Sequence, residues 1–286
     1  MKRIMAEDAE TVERFGRHKD RRKPRRKTRR SEFYVEKDAA TSSADKFTDP
    51  ELQQLFEQGK FTELLSELKS GKEATVYLVS GPAGLMAAKV YADLEVRSFK
   101  NDSSYREGRF MADERAARAI RARTRFGLEA QQHSWVMGEY LQLWELYRAR
   151  VPVPKPMIGP DLFDIRRAGR VVLMELIGDH EAPAPRLSDI RFEPEAAAEA
   201  FEQSVRIAEQ LSALGRVHGD LSTFNLLWWQ ERVILIDLPQ VIMKGENPNY
   251  MEFLKRDVHT LCKSFRKLGV DADPAAVLRR VMQAGS

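Results

Sequence analysis

A chain of 286 residues, 43% hydrophobic and 31% charged, carries enough apolar material for one large globular unit or two coupled lobes. Its single cysteine, Cys262, leaves no internal disulfide, and no apolar run reaches the roughly 18 to 20 residues that a membrane helix needs. A soluble, cytoplasmic protein with no membrane partner is therefore expected, and the net charge of +4 matters less than its crowding near the N-terminus.

Residues 17–30, RHKDRRKPRRKTRR, are almost all cationic, and a segment that buries no apolar surface cannot offset the entropy of ordering. Residues 1–46 are thus expected to form a disordered basic tail, with RNA as a partner that its charge suits. No apolar segment follows the positive residues, so a secretory signal is not expected. From 47 to 69 a helical segment is expected: Asp49-Pro50 is a good helix start, and Leu52, Leu55, Phe56, Leu64, Leu65 and Leu68 recur at helical spacing. ATVYLVS (74–80), a Gly-Pro-Ala-Gly turn and LMAAKVY (85–91) read as a hairpin that opens the first lobe, taken as 70–177.

Residues 97–134 are polar and Arg-rich and are expected to be a long mobile loop with partial helix. Val136, Glu139, Tyr140, Leu143, Leu146 and Tyr147 share one helical face, so a helix spans about 134–149, and VPVPKP ends it. VVLMELIG (171–178) is of buried-strand type. The second lobe, 178–286, should hold an amphipathic helix over 195–216, a loop VHGDLSTFNLLWW leading into a short strand, a buried strand VILIDLPQ, and helices near 249–268 and 274–284.

The strongest chemical signal is His218-Gly219-Asp220 with Asn225 a few residues on and Asp237 at the end of an apolar strand. Phosphoryl transfer needs a base for the acceptor and oxygen ligands for a divalent cation. Asp220 can take the proton or orient the nucleophile; Asn225 offers an amide oxygen and Asp237 a carboxylate. A second signal is Ser70-Gly71-Lys72-Glu73-Ala74, a small-residue turn that lets amides approach phosphates, followed by Lys89 inside an apolar strand. An unpaired ammonium there is costly, so Lys89 requires an anion. Glu139 on the helix after the long loop is the chosen partner, with Glu145 as rival.

Together GKEATVY, AAKVY, the helix start from Trp135 to Glu139, HGDLSTFN and LIDLPQ resemble the RIO family of atypical serine/threonine protein kinases, over about residues 50–265. The bacterial-type first RIO subgroup is the one resembled, with Lys69 standing where its phosphate loop has Ser, and Gly219, Thr223 and Phe224 where its catalytic loop has Ala, Glu and Tyr. The resemblance implies an α+β, two-lobed protein-kinase-like fold that uses ATP with Mg²⁺, or with Mn²⁺ in its place. It implies that Lys89 holds the phosphates and pairs with Glu139, that Asp220 is catalytic, and that Asn225 and Asp237 bind the metal. Ser70, Gly71, Lys72 and Glu73 would lie over the triphosphate. Met174 would back the adenine pocket, Glu175 and Ile177 would offer hinge hydrogen bonds, and Val76, Ala87, Leu227 and Ile236 would sandwich the ring.

No Asp-Phe-Gly or Ala-Pro-Glu is present, so the usual peptide-docking platform is not expected. The resemblance implies autophosphorylation, with Ser103 and Ser104 the serines to watch, and a possible ATPase-type switch with Asp237 as phosphate acceptor. It also implies ribosomal-particle partners, and it sets no oligomeric state. Two rival readings are a small-molecule phosphotransferase of the aminoglycoside or choline kinase type and a nucleotide-controlled RNA-binding assembly factor. The first needs a large helical insert, whereas only about forty residues separate the hinge from His218.

Overall fold

The computed structural model describes residues 47, 49–71, 74–92, 118, 122, 124–238 and 240–286. The expected tail 1–46, most of the loop 97–134, Lys72, Glu73, Ser103 and Ser104 lie outside the described residues.

The first helix, α1 (Pro50–Glu57), begins as its sequence dictates: Asp49 accepts the amides of Glu51 and Leu52 at 3.1 and 3.0 Å, and Pro50 fills the first turn. It stops at Glu57, and here the structure corrects the expectation of continuous helix to residue 69. Leu64, Leu65 and Leu68 belong to a strand, β1 (Glu63–Ser70), antiparallel to β2 (Ala74–Gly81). The leucine spacing suits either period. Pairing with β2 decides, and two irregularities, at Leu64/Ser66 and Glu67/Lys69, explain why strict alternation is missing from the sequence. Phe47, Phe56 and Phe61 pack edge to face between α1 and this strand, with ring centroids 5.5 to 5.9 Å apart.

The expected hairpin is β2 with β3 (Gly84–Tyr91), and β3 pairs with β4 (Val171–Glu175) to give an antiparallel sheet in the order β1-β2-β3-β4. Its two faces are set by the period of two. Tyr77, Val79, Met86, Ala88, Val90 and Leu173 are buried on one face. Register places Val76, Lys89 and Val172 across from one another, and Ala87 opposite Met174, so these project from the other face.

The helix expected at 134–149 is longer, α2 (Arg125–Arg148), because Thr124 caps it by accepting the Gly127 amide at 3.1 Å. Ten residues assigned to the loop from sequence are therefore helical. A short helix, α3 (Leu162–Arg167), capped by Asp161, precedes β4.

The second half is mainly helical: α4 (Pro194–Ala213), α5 (Tyr250–Arg266) and α6 (Pro274–Ala284). Phe201 of α4 meets Phe265 of α5 with ring centroids 5.1 Å apart, and Val277 and Val281 of α6 join the same core. The helix expected to reach 216 ends at Ala213, because Gly215 takes a positive φ of 67° and turns the chain into β5 (Arg216–Val217). Strand β5 pairs with β8 (Ile242–Met243), and β6 (Leu226–Trp229) pairs with β7 (Arg232–Leu235). The strand expected over VILIDLPQ thus ends at Leu235, and Asp237 sits beyond it at φ 69°. The architecture is α+β: an antiparallel sheet with helix in one lobe and a helical second lobe whose short strands hold the loop 218–225.

Candidate active site

The sheet supplies the cation. Lys89 follows a run of small residues on a central strand, and its side chain is only 12% exposed. Its ammonium lies 2.8 Å from Glu139 Oε1 and 2.6 Å from Asp237 Oδ1, and 4.8 Å from the centre of the Tyr91 ring. Burial alone pushes the Lys89 pKa down; the Asp237 and Glu139 carboxylates outweigh it and hold the value well above the usual lysine range. The Lys89 ammonium in turn keeps the Asp237 carboxyl below its usual range against the opposing effect of burial. Tyr91, two residues along the same face, donates its hydroxyl to Glu139 Oε2, and burial followed by the Glu139 charge pushes the phenol pKa up. Glu145, the rival partner, bonds Arg216 instead.

The loop between β5 and β6 supplies Asp220 and Asn225. His218 is buried, with Nδ1 accepting the Asp220 amide at 3.2 Å, so Nε2 carries the proton and donates to the Ile236 carbonyl at 3.2 Å. One imidazole therefore spans from Asp220 to the residue before Asp237. Asn225 donates its amide group to the Asp220 carbonyl at 2.9 Å and to Asp220 Oδ2 at 3.0 Å. That arrangement fixes one Asp220 oxygen and leaves the Asn225 amide oxygen outside both bonds. Leu221, Ser222, Thr223 and Asn225 are buried, while Asp220 and Phe224 face solvent.

The loop is held from beneath by residues that sequence reasoning missed. Asp257 of α5 is buried and accepts the amides of Gly219 at 2.7 Å and Leu221 at 3.3 Å, and Arg256 donates to the Gly219 carbonyl. Burial pushes the Asp257 carboxyl up, with the hydrogen bonds from the Gly219 and Leu221 amides pulling the other way. The signal was present: Phe253, Leu254, Asp257, Val258, Leu261 and Phe265 form one buried stripe, so Asp257 is a carboxylate on an apolar face.

Ser70 and Gly71 end β1, where Gly71 donates its amide to the Ala74 carbonyl at 3.0 Å and Ser70 meets Thr75 at 3.3 Å. Val76, Ala87 and Met174 share the Lys89 face of the sheet. Leu227 lies on β6, and Ile236 donates its amide to the Asn225 carbonyl at 3.0 Å, so both flank the loop from the other lobe. At the hinge, the Glu175 amide is spent on the Lys155 carbonyl at 2.8 Å, and the Ile177 carbonyl accepts from Ala184 at 2.8 Å.

Among the described residues no cluster of three or more His, Cys, Asp or Glu side chains could hold a metal. The amide oxygen of Asn225 and the half-exposed carboxylate of Asp237 instead offer two hard oxygens, the kind that suits a cation whose remaining ligands are phosphate oxygens and water.

Compared with known proteins, the chain matches the RIO domain over residues 75–277. It is 32% identical over 233 residues to the RIO-type serine/threonine-protein kinase Rio1 of Haloferax volcanii, covering 80% of this chain and 72% of that one. It is 27% identical over 272 residues to the serine/threonine-protein kinase RIO1 of Caenorhabditis elegans, covering 93% of this chain and 49% of that one. It is also 27% identical over 244 residues to the serine/threonine-protein kinase RIO3 of Bos taurus, covering 80% of this chain and 44% of the bovine protein. The chain thus spans about half the length of the two animal relatives.

Proposed function

The chain belongs to the RIO family of serine/threonine protein kinases, with its protein-kinase-like fold, and from that premise we propose that it transfers the γ-phosphoryl group of ATP, with Mg²⁺, to a hydroxyl acceptor. The observation that carries this reading is the meeting of Lys89, Glu139 and Asp237 beside the Asp220–Asn225 pair. In it Lys89 steadies the phosphates as a buried cation kept charged by two carboxylates. Asp220, with one oxygen tied to Asn225, uses the other to orient the acceptor hydroxyl and take its proton as the bond from phosphorus to the leaving ADP oxygen breaks. Asn225 and Asp237 would hold Mg²⁺, which neutralises charge on the phosphate oxygens; Mn²⁺ would serve in the same hard-oxygen set.

The finer assignment is to the first RIO subgroup, supported by the GKEA phosphate-loop sequence and the HGDLS catalytic loop. With no Ala-Pro-Glu docking segment in the sequence, the acceptor is proposed to be a hydroxyl of the chain itself or water, and in an ATPase-switch form the Asp237 carboxylate takes the place of the hydroxyl. The basic run 17–30 supports RNA or a ribosomal particle as the partner on which this switch acts; a cytoplasmic setting is proposed with it. Incubation with γ-labelled ATP tests it. A hydroxylamine-sensitive adduct lost in Asp237→Asn supports the switch, an acid-stable phosphoserine supports autophosphorylation alone, and no transfer or hydrolysis removes the enzyme reading. Deleting residues 1–46 should flatten the dependence of RNA affinity on salt, and an unchanged slope argues against the tail as the RNA contact.

A further inference from the structure

Helix α2 carries Glu139, and Gln142 and Glu145 follow it at intervals of three, close to one turn each. All three reach outside their own helix. Glu139 meets Lys89 in the sheet, while Gln142 and Glu145 face the second lobe and meet one side chain there, Arg216. The Arg216 Nε donates to Gln142 Oε1 at 2.8 Å, one terminal nitrogen donates to Glu145 Oε2, and the other donates to the Leu214 carbonyl at 2.7 Å. Its side chain is 12% exposed, so the guanidinium is largely out of water and its planar fork is fixed in three directions.

The strand that carries Arg216 gives the contact its meaning. Strand β5 is followed at once by His218 and Asp220, and its partner β8 lies a few residues beyond Asp237. Gln142 also reaches β8, with its Nε2 3.8 Å from Met243 Sδ. Helix α2 is therefore seated on the small sheet that the Asp220 loop leaves and the Asp237 segment enters. A shift of that seat moves Glu139 relative to Lys89 and moves the helix relative to Asp220 and Asp237.

We propose that Arg216 is a positioning residue that couples the Lys89–Glu139 pair to the catalytic loop by fixing α2 on the β5–β8 strands. It touches no reacting atom and acts through Glu139. The inference rests on the phosphotransferase reading of the same site, and the test separates the two.

Wild type, Arg216→Ala, Arg216→Lys, Glu145→Gln, Glu139→Gln and Arg216→Ala/Glu139→Gln are compared for ATP turnover. Arg216→Ala should lower kcat/KM by about tenfold, within the range of coupling seen for residues in one network, and Arg216→Lys should restore part of it. Glu145→Gln, at an exposed position, should give a smaller loss in the same direction. In the Glu139→Gln background the Arg216→Ala effect should shrink below about twofold, because the route through Glu139 is already cut. A full additive loss in the double variant, or no loss in Arg216→Ala, overturns the proposal. Amide hydrogen exchange gives a readout independent of turnover: Arg216→Ala should speed exchange in residues 136–148 and 216–225 but not in 250–266. Unchanged exchange there overturns the coupling even if wild type proves to have no ATP turnover, a result that would itself remove only the phosphotransferase reading.

Discussion

Lys89 Nζ lies 2.6 Å from Asp237 Oδ1, a direct ion pair between the sheet lobe and the residue that follows the β6–β7 strands. Glu139, 4% exposed, is the second carboxylate on the same ammonium. Lys89→Met leaves that buried carboxylate without its cation and should destabilise the protein by about 3 kcal/mol at neutral pH. The pH dependence follows from the directions of shift. The depressed Asp237 carboxyl contributes stability that is complete above about pH 4, the unfolded value, and is lost as pH falls through its lower folded value. The raised Lys89 contributes stability that is complete below about pH 10 and is lost as pH rises through its higher folded value. The advantage of wild type over Lys89→Met should therefore be flat from about pH 5 to 9 and narrow below about pH 4. Thermal midpoints across that range check it, and an advantage that widens in acid contradicts it.

Asp220 and Asp237 are both near the phosphates in the proposed reaction but do different work, and ligand-induced stabilisation separates them. ATP with Mg²⁺ at about 100 times its dissociation constant should stabilise wild type by about 2.7 kcal/mol. Asp220→Ala should keep most of that shift while turnover falls by about 10² to 10⁴-fold, the usual share of proton handling. Asp237→Ala should lose much of the shift. Equal stabilisation of Asp237→Ala and wild type removes Asp237 from the metal site, and undiminished turnover removes Asp220 from catalysis.

Much of this geometry was legible because function leaves residues that folding would not choose. A lysine in the strand AAKVY and an Asp-Asn pair in a loop have no good place in a core, so they point to a partner or a reaction. The helix after the long loop pointed to Glu139 as the partner of Lys89 but left Glu145, on the same helix, as a rival, and the structure gives Glu139. Strand β1 was less legible, since Leu64, Leu65 and Leu68 fit a helix until the pairing with β2 is known. Arg216 was invisible for a different reason, and Asp257 left a signal only as a carboxylate on the apolar face of its helix. Arg216 is an ordinary cation until its fork is seen between Gln142 and Glu145, and Asp257 reads as a helix residue until its carboxylate is seen beneath the loop.

Asp257 holds the loop 218–225 by two backbone amides, so Asp257→Ala strands two buried donors and should cost about 2 to 4 kcal/mol. The loss should appear in the urea midpoint and, through the loop, in turnover. Because burial raises the Asp257 carboxyl above its unfolded value, this group favours folding less as pH rises from about 4 through the folded value. Asp257→Asn removes that dependence. A pH profile of stability identical in Asp257→Asn and wild type between about pH 4 and 7 would count against an ionising carboxyl at this position.

Tyr140 ties the helix that carries Glu139 to the edge of the sheet. Its hydroxyl accepts the Leu173 amide at 2.7 Å and donates to the Val171 carbonyl at 3.0 Å, so one oxygen satisfies two of the outward backbone groups of β4. The residue is fully buried, and no water reaches either group. Tyr140→Phe keeps the ring and its packing but leaves an amide and a carbonyl unpaired, which should cost about 1 to 3 kcal/mol at an unchanged denaturant slope. Burial pushes the phenol well above the usual tyrosine range, which keeps the hydroxyl protonated through about pH 10. The effect of Tyr140→Phe should therefore be the same at pH 6 and pH 10, and a loss that shrinks toward pH 10 would mean that the hydroxyl ionises and that this bridge is not the sealed contact the structure shows.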